Sequence, residues 1–207
     1  VKALQCAVKT LGAERVVVLP TYLPPHKGAG YLDFETRAEL ARLAFLGAAR
    51  EVVVDDEERE RGKDNYACLL LADMKRKYGD IAYLIGGDSL RDIDTWKHPE
   101  KIFAECPVVV APREGCGDAR AQRDSALKKY GGEIVLLDIM GEDVSSGRIK
   151  AKLLLGEECP DIPKKVAEYI KERGLFGEYA ETVRKLKGME SEELYAHSVA
   201  AVMRAVD

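Results

Sequence analysis

The residues able to do chemistry in this chain gather where short apolar runs end. The clearest case is Ile81-Ala82-Tyr83-Leu84-Ile85, which stops at Gly86-Gly87-Asp88-Ser89 and leads on to Thr95 and Trp96, the only tryptophan. An apolar run cut off by glycines reads as a buried parallel strand entering a turn and a helix start. In open α/β sheets the ligand lies outside the carboxyl ends of the strands. Gly86 and Gly87 would let a ligand approach the backbone there, and Asp88 offers a carboxylate suited to ribose hydroxyls. Ser89 is placed to cap the following turn, and an indole can stack on a flat aromatic ligand. Each feature also has a plain structural reading. Glycine pairs are common at strand-helix corners, and a lone tryptophan is more often core.

Three further loops carry suitable groups. Pro24-Pro25-His26-Lys27 fixes a cationic pair with prolines; a plain surface loop is the alternative. Asn65-Tyr66-Ala67 stands at a helix start, where free backbone N–H groups face an anion, or simply form a cap. Val144-Ser145-Ser146-Gly147-Arg148-Ile149-Lys150 puts hydroxyls and cations at another helix start, in the manner of a phosphate cradle, or is a capped helix with surface charges.

The elements that must position these loops can be read in order. Lys2 to Leu11 has Ala3, Leu4, Ala7, Val8 and Leu11 on one face and closes at Gly12, as an amphipathic helix does. Strands are expected at Val16–Leu19, Glu51–Val54, Ile81–Ile85, Pro107–Ala111 and Glu133–Leu137. Helices are expected from the Asp33 cap to about Ala48, over Asn65–Tyr78, Pro99–Cys106 and Asp118–Tyr130, from Ser145 to Leu155, and from Pro163 in a first turn to Gly174. Asp55 to Lys63 reads as a charged loop. Strands alternating with helices at this spacing predict an α/β fold with a doubly wound parallel sheet.

Composition narrows the function. A chain of 207 residues, 46% hydrophobic and 33% charged, is a globular protein of one domain or slightly more. A net charge of −4 gives no general attraction to nucleic acid, so an anion site has to be built locally. Five scattered cysteines without a CxxC pair, and three histidines, suggest reduced thiols in the cytoplasm and no clustered metal ligands. No run is long and apolar enough to span a bilayer. The chain opens on Val1-Lys2-Ala3-Leu4, already helix-like, and reads as beginning within an element.

Taken together, the loops resemble those of the bacterial nicotinate-nucleotide adenylyltransferases, members of the nucleotidyltransferase superfamily. That family's "VPxxxPPHK" corresponds to Leu19-Pro20-Thr21-Tyr22-Leu23-Pro24-Pro25-His26-Lys27, and its "SYT" to Asn65-Tyr66-Ala67. "IGADSLxxLxTW" corresponds to Ile85-Gly86-Gly87-Asp88-Ser89-Leu90 with Thr95-Trp96, and "VVAPRxG" to Val109-Val110-Ala111-Pro112-Arg113-Glu114-Gly115. "ISSTxIR" corresponds to Val144 through Lys150, and the tail "VxxYIxxxGLY" to Val166, Tyr169-Ile170 and Gly174-Leu175-Phe176. The resemblance covers residues 1 to about 177.

It implies a Rossmann-like fold and adenylyl transfer from ATP to nicotinate mononucleotide, with Mg²⁺, giving the dinucleotide and pyrophosphate for NAD biosynthesis. Lys27, Ser146, Arg148 and Lys150 would act on the triphosphate, with Arg113 and Ser145 beside them. Gly86, Gly87 and Asp88 would bind the adenosine part. Trp96 would stack on the pyridine ring, with His26, Tyr66, Ala67, Thr95 and Lys97 around it and backbone amides receiving its carboxylate. Departures from the pattern carry expectations of their own. The family's "GxFDPxHxGH", with its first strand and two histidines, is not in the chain, so residues 1–207 alone should be inactive. Gly147 stands for Thr and Lys150 for Arg; Lys lacks the bidentate fork, and Arg148 would substitute. Ala67 stands for Thr.

After Gly177 the character changes. Residues 178–190 read as a linker helix, and 191–207 as the first helix of another domain. Leu194-Tyr195-Ala196-His197-Ser198 resembles the opening of an HD-type metal-dependent phosphohydrolase, which implies His197 as a metal ligand; an ordinary helical tail is the alternative. Two other activities stay in view, a nicotinamide-nucleotide or pantetheine-phosphate adenylyltransferase and a non-catalytic nucleotide-binding domain. Trp96 and the Pro24–Lys27 segment argue against the pantetheine enzyme.

Overall fold

The structure, a computed structural model, describes residues 1–22, 32–62, 65–140, 149, 152–153 and 157–175. His26, Lys27, Ser145, Ser146, Arg148, Lys150 and His197 lie outside them, as do most of the helix expected from Ser145 and the whole tail beyond Leu175. The chain divides into two compact units, Val1–Leu23 with Phe45–Asp143, and Pro24–Ala44 with Val144–Asp207.

In the first unit the order is α1 (Lys2–Leu11), β1 (Arg15–Val18), β2 (Glu51–Val54), α3 (Glu57–Arg61), α4 (Ala67–Tyr78), β3 (Tyr83–Gly86), α5 (Gly87–Arg91), a 3₁₀ turn (Ile93–Thr95), α6 (Pro99–Glu105), β4 (Val108–Ala111), α7 (Ala119–Tyr130) and β5 (Ile134–Leu136), with α2 (Phe34–Phe45) entering between β1 and β2 from the second unit. All strand pairs are parallel. Their short crossovers are helical, as parallel pairing requires.

β4 shows why the apolar runs are continuous. Val108, Val109 and Val110 are at most 1% exposed. Val108 and Val110 point into a core with Leu71 of α4, Ile102 and Phe103 of α6 and Ala126 of α7. Val109 points the other way, onto Ala7 of α1 and Leu137. A strand covered on both faces has no polar side to alternate with.

Among the described residues the strands pair in the orders β1-β2 and β3-β4-β5, all parallel and alternating with helices, the α/β class that the sequence predicts. Among these residues β1 pairs only with β2 and β3 only with β4. Small differences have local causes. The Asp55–Lys63 stretch contains α3, because its acids fall in the first turn and Arg59 and Arg61 in the last, the order the helix dipole favours. The strand expected from Ile81 begins at Tyr83, the first residue in register with β4, opposite Val108. Ser89 is not the cap of α5; Gly86 is, and Ser89 lies within the helix.

In the second unit, Asp33 caps α2 by accepting from the Thr36 N–H at 2.7 Å and its hydroxyl at 2.8 Å. α8 (Lys164–Glu172) buries Val166 and Ile170, with Pro163 as its N-cap where a first-turn place was expected.

Candidate active site

β3 and β4 bring the first group of residues together. Gly86, the last residue of β3, stands in register with Ala111, the last of β4, so the Gly86–Asp88 and Pro112–Arg113 turns leave one sheet edge side by side. The fit is close: a methyl group on buried Gly87 would meet the Arg113 amide nitrogen at 3.2 Å and the Pro112 Cα at 3.5 Å. A methyl on Gly86 would overlap the Asp88 carboxylate. That carboxylate accepts from the Ser89 N–H at 3.0 Å, which fixes its direction. A side chain at Gly86 would displace the Asp88 carboxylate and one at Gly87 would press on the Pro112–Arg113 backbone, and the strand register brings these residues to one sheet edge.

A second group lines a cavity of about 980 Å³. Tyr66 is the N-cap of α4 and makes no side-chain cap, so the first N–H groups of this 12-residue helix have no side-chain acceptor there. The turn before it is locked by the Asn65 amide, which donates to the carbonyls of Glu58 at 2.9 Å and Gly62 at 2.8 Å. The Lys97 ammonium sits 3.9 Å from the centre of the Tyr66 ring. Trp96 packs against the core and meets Tyr83 edge-on, with ring centroids 6.5 Å apart and planes at 62°. Thr95, Trp96, Lys97, Tyr66 and Ala67 all line this cavity. Trp96 thus packs against the core on one side and borders the cavity on another.

The same cavity is lined by Val16, Val17 and Val18 of β1 and by Tyr83 and Leu84 of β3, whose facing edges have no strand partner among the described residues. Apolar residues of α1 and α4, among them Leu4, Val8, Leu70 and Met74, line the rest.

Three features escaped the sequence reading. Tyr83 gives Trp96 its edge contact, and its burial pushes its phenol pKa up. His98 takes a left-handed backbone (φ 52°) that turns the chain from Lys97 into Pro99 of α6. Only a positive φ at a non-glycine residue marks it, and sequence does not display that. Asp55, at the exit of β2, is buried and accepts from the Tyr78 hydroxyl at 2.5 Å, the Glu57 N–H at 2.9 Å and the Lys77 ammonium at 2.8 Å. Burial alone would raise the Asp55 carboxyl, but these three donors outweigh it and hold it below the usual carboxylate range. The sequence signal was an acid directly after an apolar run.

Among the described residues no group of three or more His, Cys, Asp or Glu converges as a metal site, and no helix is long and apolar enough to cross a membrane.

Parallel strands covered by helices, with the Gly86–Asp88 and Pro112–Arg113 segments side by side at adjacent strand ends, make this an α/β protein with a candidate ligand edge. The chain belongs to the cytidylyltransferase-like family, which its residues 2–152 match. It is 32% identical over 185 residues to a probable nicotinate-nucleotide adenylyltransferase of Citrifermentans bemidjiense, covering 79% of this chain and 84% of that one. The corresponding protein of Clostridium acetobutylicum is 29% identical over 175 residues, covering 82% and 88%. The fold is similar to that of Plasmodium falciparum nicotinic acid mononucleotide adenylyltransferase, solved in complex with NaAD, with a TM-score of 0.61 and 18% identity over 85% of this chain and 89% of that one.

Proposed function

We propose that this protein transfers the adenylyl group of ATP to nicotinate mononucleotide, releasing pyrophosphate and forming the dinucleotide used in NAD biosynthesis. The observation that carries the reading is the β3–β4 register, which sets the Gly86-Gly87-Asp88 turn against Arg113 at one sheet edge. The similarity to the nicotinate-nucleotide adenylyltransferases supports the choice of substrates.

In-line attack of the mononucleotide phosphate on the α-phosphorus needs no protein nucleophile. Catalysis is positioning and charge stabilisation. Asp88 accepts from ribose hydroxyls, and the glycines let the adenosine lie against the backbone. Arg113 and Lys27 supply cations, and Ser145, Ser146, Arg148 and Lys150 hold the triphosphate. Trp96 stacks on the pyridine ring, beside His26, Thr95 and Lys97, and backbone amides near Tyr66, Ala67 and Lys97 take its carboxylate. Mg²⁺ bound with ATP would neutralise phosphate charge. Such an ion would be held chiefly by substrate phosphates and water.

A further part of the reading is a strand ahead of α1, followed by the histidine-bearing turn that grips the phosphates. The apolar cavity lined by β1 and β3, whose facing edges have no strand partner among the described residues, supports it. Parallel strands linked through α1 to β1 form the right-handed unit that such a seat accommodates. The domain then comprises residues 1–177 with this strand, 178–190 a linker, and 191–207 the start of an HD-type domain in which His197 binds metal.

The test is pyrophosphate release from ATP and nicotinate mononucleotide. Turnover is expected from the protein carrying the additional strand and none from residues 1–207 alone. Release by residues 1–207 alone would show that the chemistry needs no upstream histidines. No release by the longer chain would refute the assignment.

A further inference from the structure

The cavity has two ends, and its charges are unevenly shared between them. The side-chain cations among its described lining residues are Arg15 and Lys97. Arg15 is committed to Glu51 at 2.8 Å and lies 5.7 Å from the centre of the Tyr78 ring, at the last residue of α4. Lys97 lies at the Tyr66 ring, before the first residue of α4. The two are separated by the length of that helix, roughly 18 Å at 1.5 Å per residue. The Tyr66 end also holds an acid: Glu58 is buried, lines the same cavity and accepts from the Tyr22 N–H at 3.0 Å. A carboxylate entering beside Trp96 and Tyr66 therefore meets one buried anion, and Lys97 is the only side-chain cation among the described residues that line that end.

Lys97 is also free to respond. It is exposed, and it rests on the face of an exposed tyrosine. A cation over an exposed ring is weakly held, whereas an ammonium–carboxylate hydrogen bond is among the stronger ones. The ring keeps the ammonium at the cavity mouth without consuming a hydrogen-bond donor, so all three N–H groups stay available.

We propose that the Lys97 side chain is a specificity-determining residue: its ammonium leaves the Tyr66 ring to bind the pyridine carboxylate and selects the acid mononucleotide over the amide. This rests on the adenylyl-transfer reading above and adds to it a role for the side chain, separate from the backbone amide of the same residue. A carboxamide offers this ammonium only a neutral oxygen, so it gains less from the contact than a carboxylate does.

The experiment compares kcat/KM for nicotinate mononucleotide and nicotinamide mononucleotide in the full-length protein, for wild type, Lys97→Met and Lys97→Arg. Methionine keeps the stem and the backbone amide and removes the charge. The acid-to-amide ratio is expected to fall roughly tenfold in Lys97→Met, carried by KM for the acid. Lys97→Arg, which keeps the charge, should retain most of the selection. Unchanged melting temperatures exclude a folding cause. If wild type selects the acid and Lys97→Met selects it equally well, the side-chain role is overturned and the activity assignment stands. If wild type uses neither mononucleotide, the assignment fails and this proposal fails with it.

Discussion

Gly86 and Gly87 are adjacent and chemically identical, yet their replacement by alanine should do different things. At Gly86 the new methyl collides with an oxygen of the Asp88 carboxylate, the far end of a short side chain that can rotate away. What is lost is the Ser89 N–H···Asp88 hydrogen bond, a net contribution of about 0.5–1.5 kcal/mol. At a few degrees per kcal/mol for a chain of this size, the melting temperature should fall by about 2–5 °C. The functional cost is larger. A displaced Asp88 no longer meets the ribose hydroxyls, and hydrogen bonds to a charged group are worth about 1.5–3 kcal/mol. KM for ATP should therefore rise by about 10–100-fold. At Gly87 the methyl meets the backbone of Pro112 and Arg113, at 3.5 and 3.2 Å, and neither atom can rotate aside. Strand β3 must shift against β4, the best-buried strand of the unit, at about 1–3 kcal/mol. Gly87→Ala should thus lose more stability than Gly86→Ala, and calorimetry with ATP titration separates the two. A Gly86→Ala protein that binds ATP like wild type would refute the placement of Asp88 against the ribose.

Asp55→Asn should lower stability by about 1–3 kcal/mol, since a buried acceptor of three donors loses its charge. The pH profile checks the same cluster. The depressed Asp55 carboxyl contributes stability that is present above its unfolded pKa near 4 and lost as pH falls through its lower folded value. The Lys77 ammonium, raised by its hydrogen bond to Asp55, and the Tyr78 hydroxyl, raised by burial and then by Asp55, contribute stability present below their unfolded values near 10 and lost as pH rises above them. Thermal melts should show a plateau between about pH 5 and 9, and Asp55→Asn should flatten both limbs; wild-type limbs in the variant would count against the cluster. Asp118→Ala removes the acceptor for the Arg120 and Ala121 N–H groups at the start of α7 and should cost about 1 kcal/mol by urea denaturation. Trp96→Phe should keep the fold, because a ring still faces Tyr83, while weakening mononucleotide binding several-fold in a titration; unchanged affinity would leave Trp96 a core residue only.

Much of the fold was readable because its causes are local. α1 shows its apolar stripe in Ala3, Leu4, Ala7, Val8 and Leu11, and Gly12 supplies the left-handed residue that ends it, at φ 64°. β2 begins and ends at the residues its apolar run predicts. The Gly86-Gly87-Asp88 turn was legible because a parallel strand's end, glycines and an acid are all sequence properties. The start of β3 was not, since Tyr83 becomes its first residue only through pairing with Val108.

The sequence by itself determined the parallel α/β class and the residue types at the strand exits, because periodicity, caps and glycines act over a few neighbours. Only the tertiary structure decided what those residues face. That Gly87 lies against the Arg113 backbone, 26 positions further along, follows from strand register. That Lys97 rests on Tyr66 depends on a left-handed His98 and on a turn locked by Asn65. That β1 and β3 both line one cavity depends on which strands pair among the described residues. Register, ring contacts and strand order are set by packing between distant segments, and no local pattern encodes them.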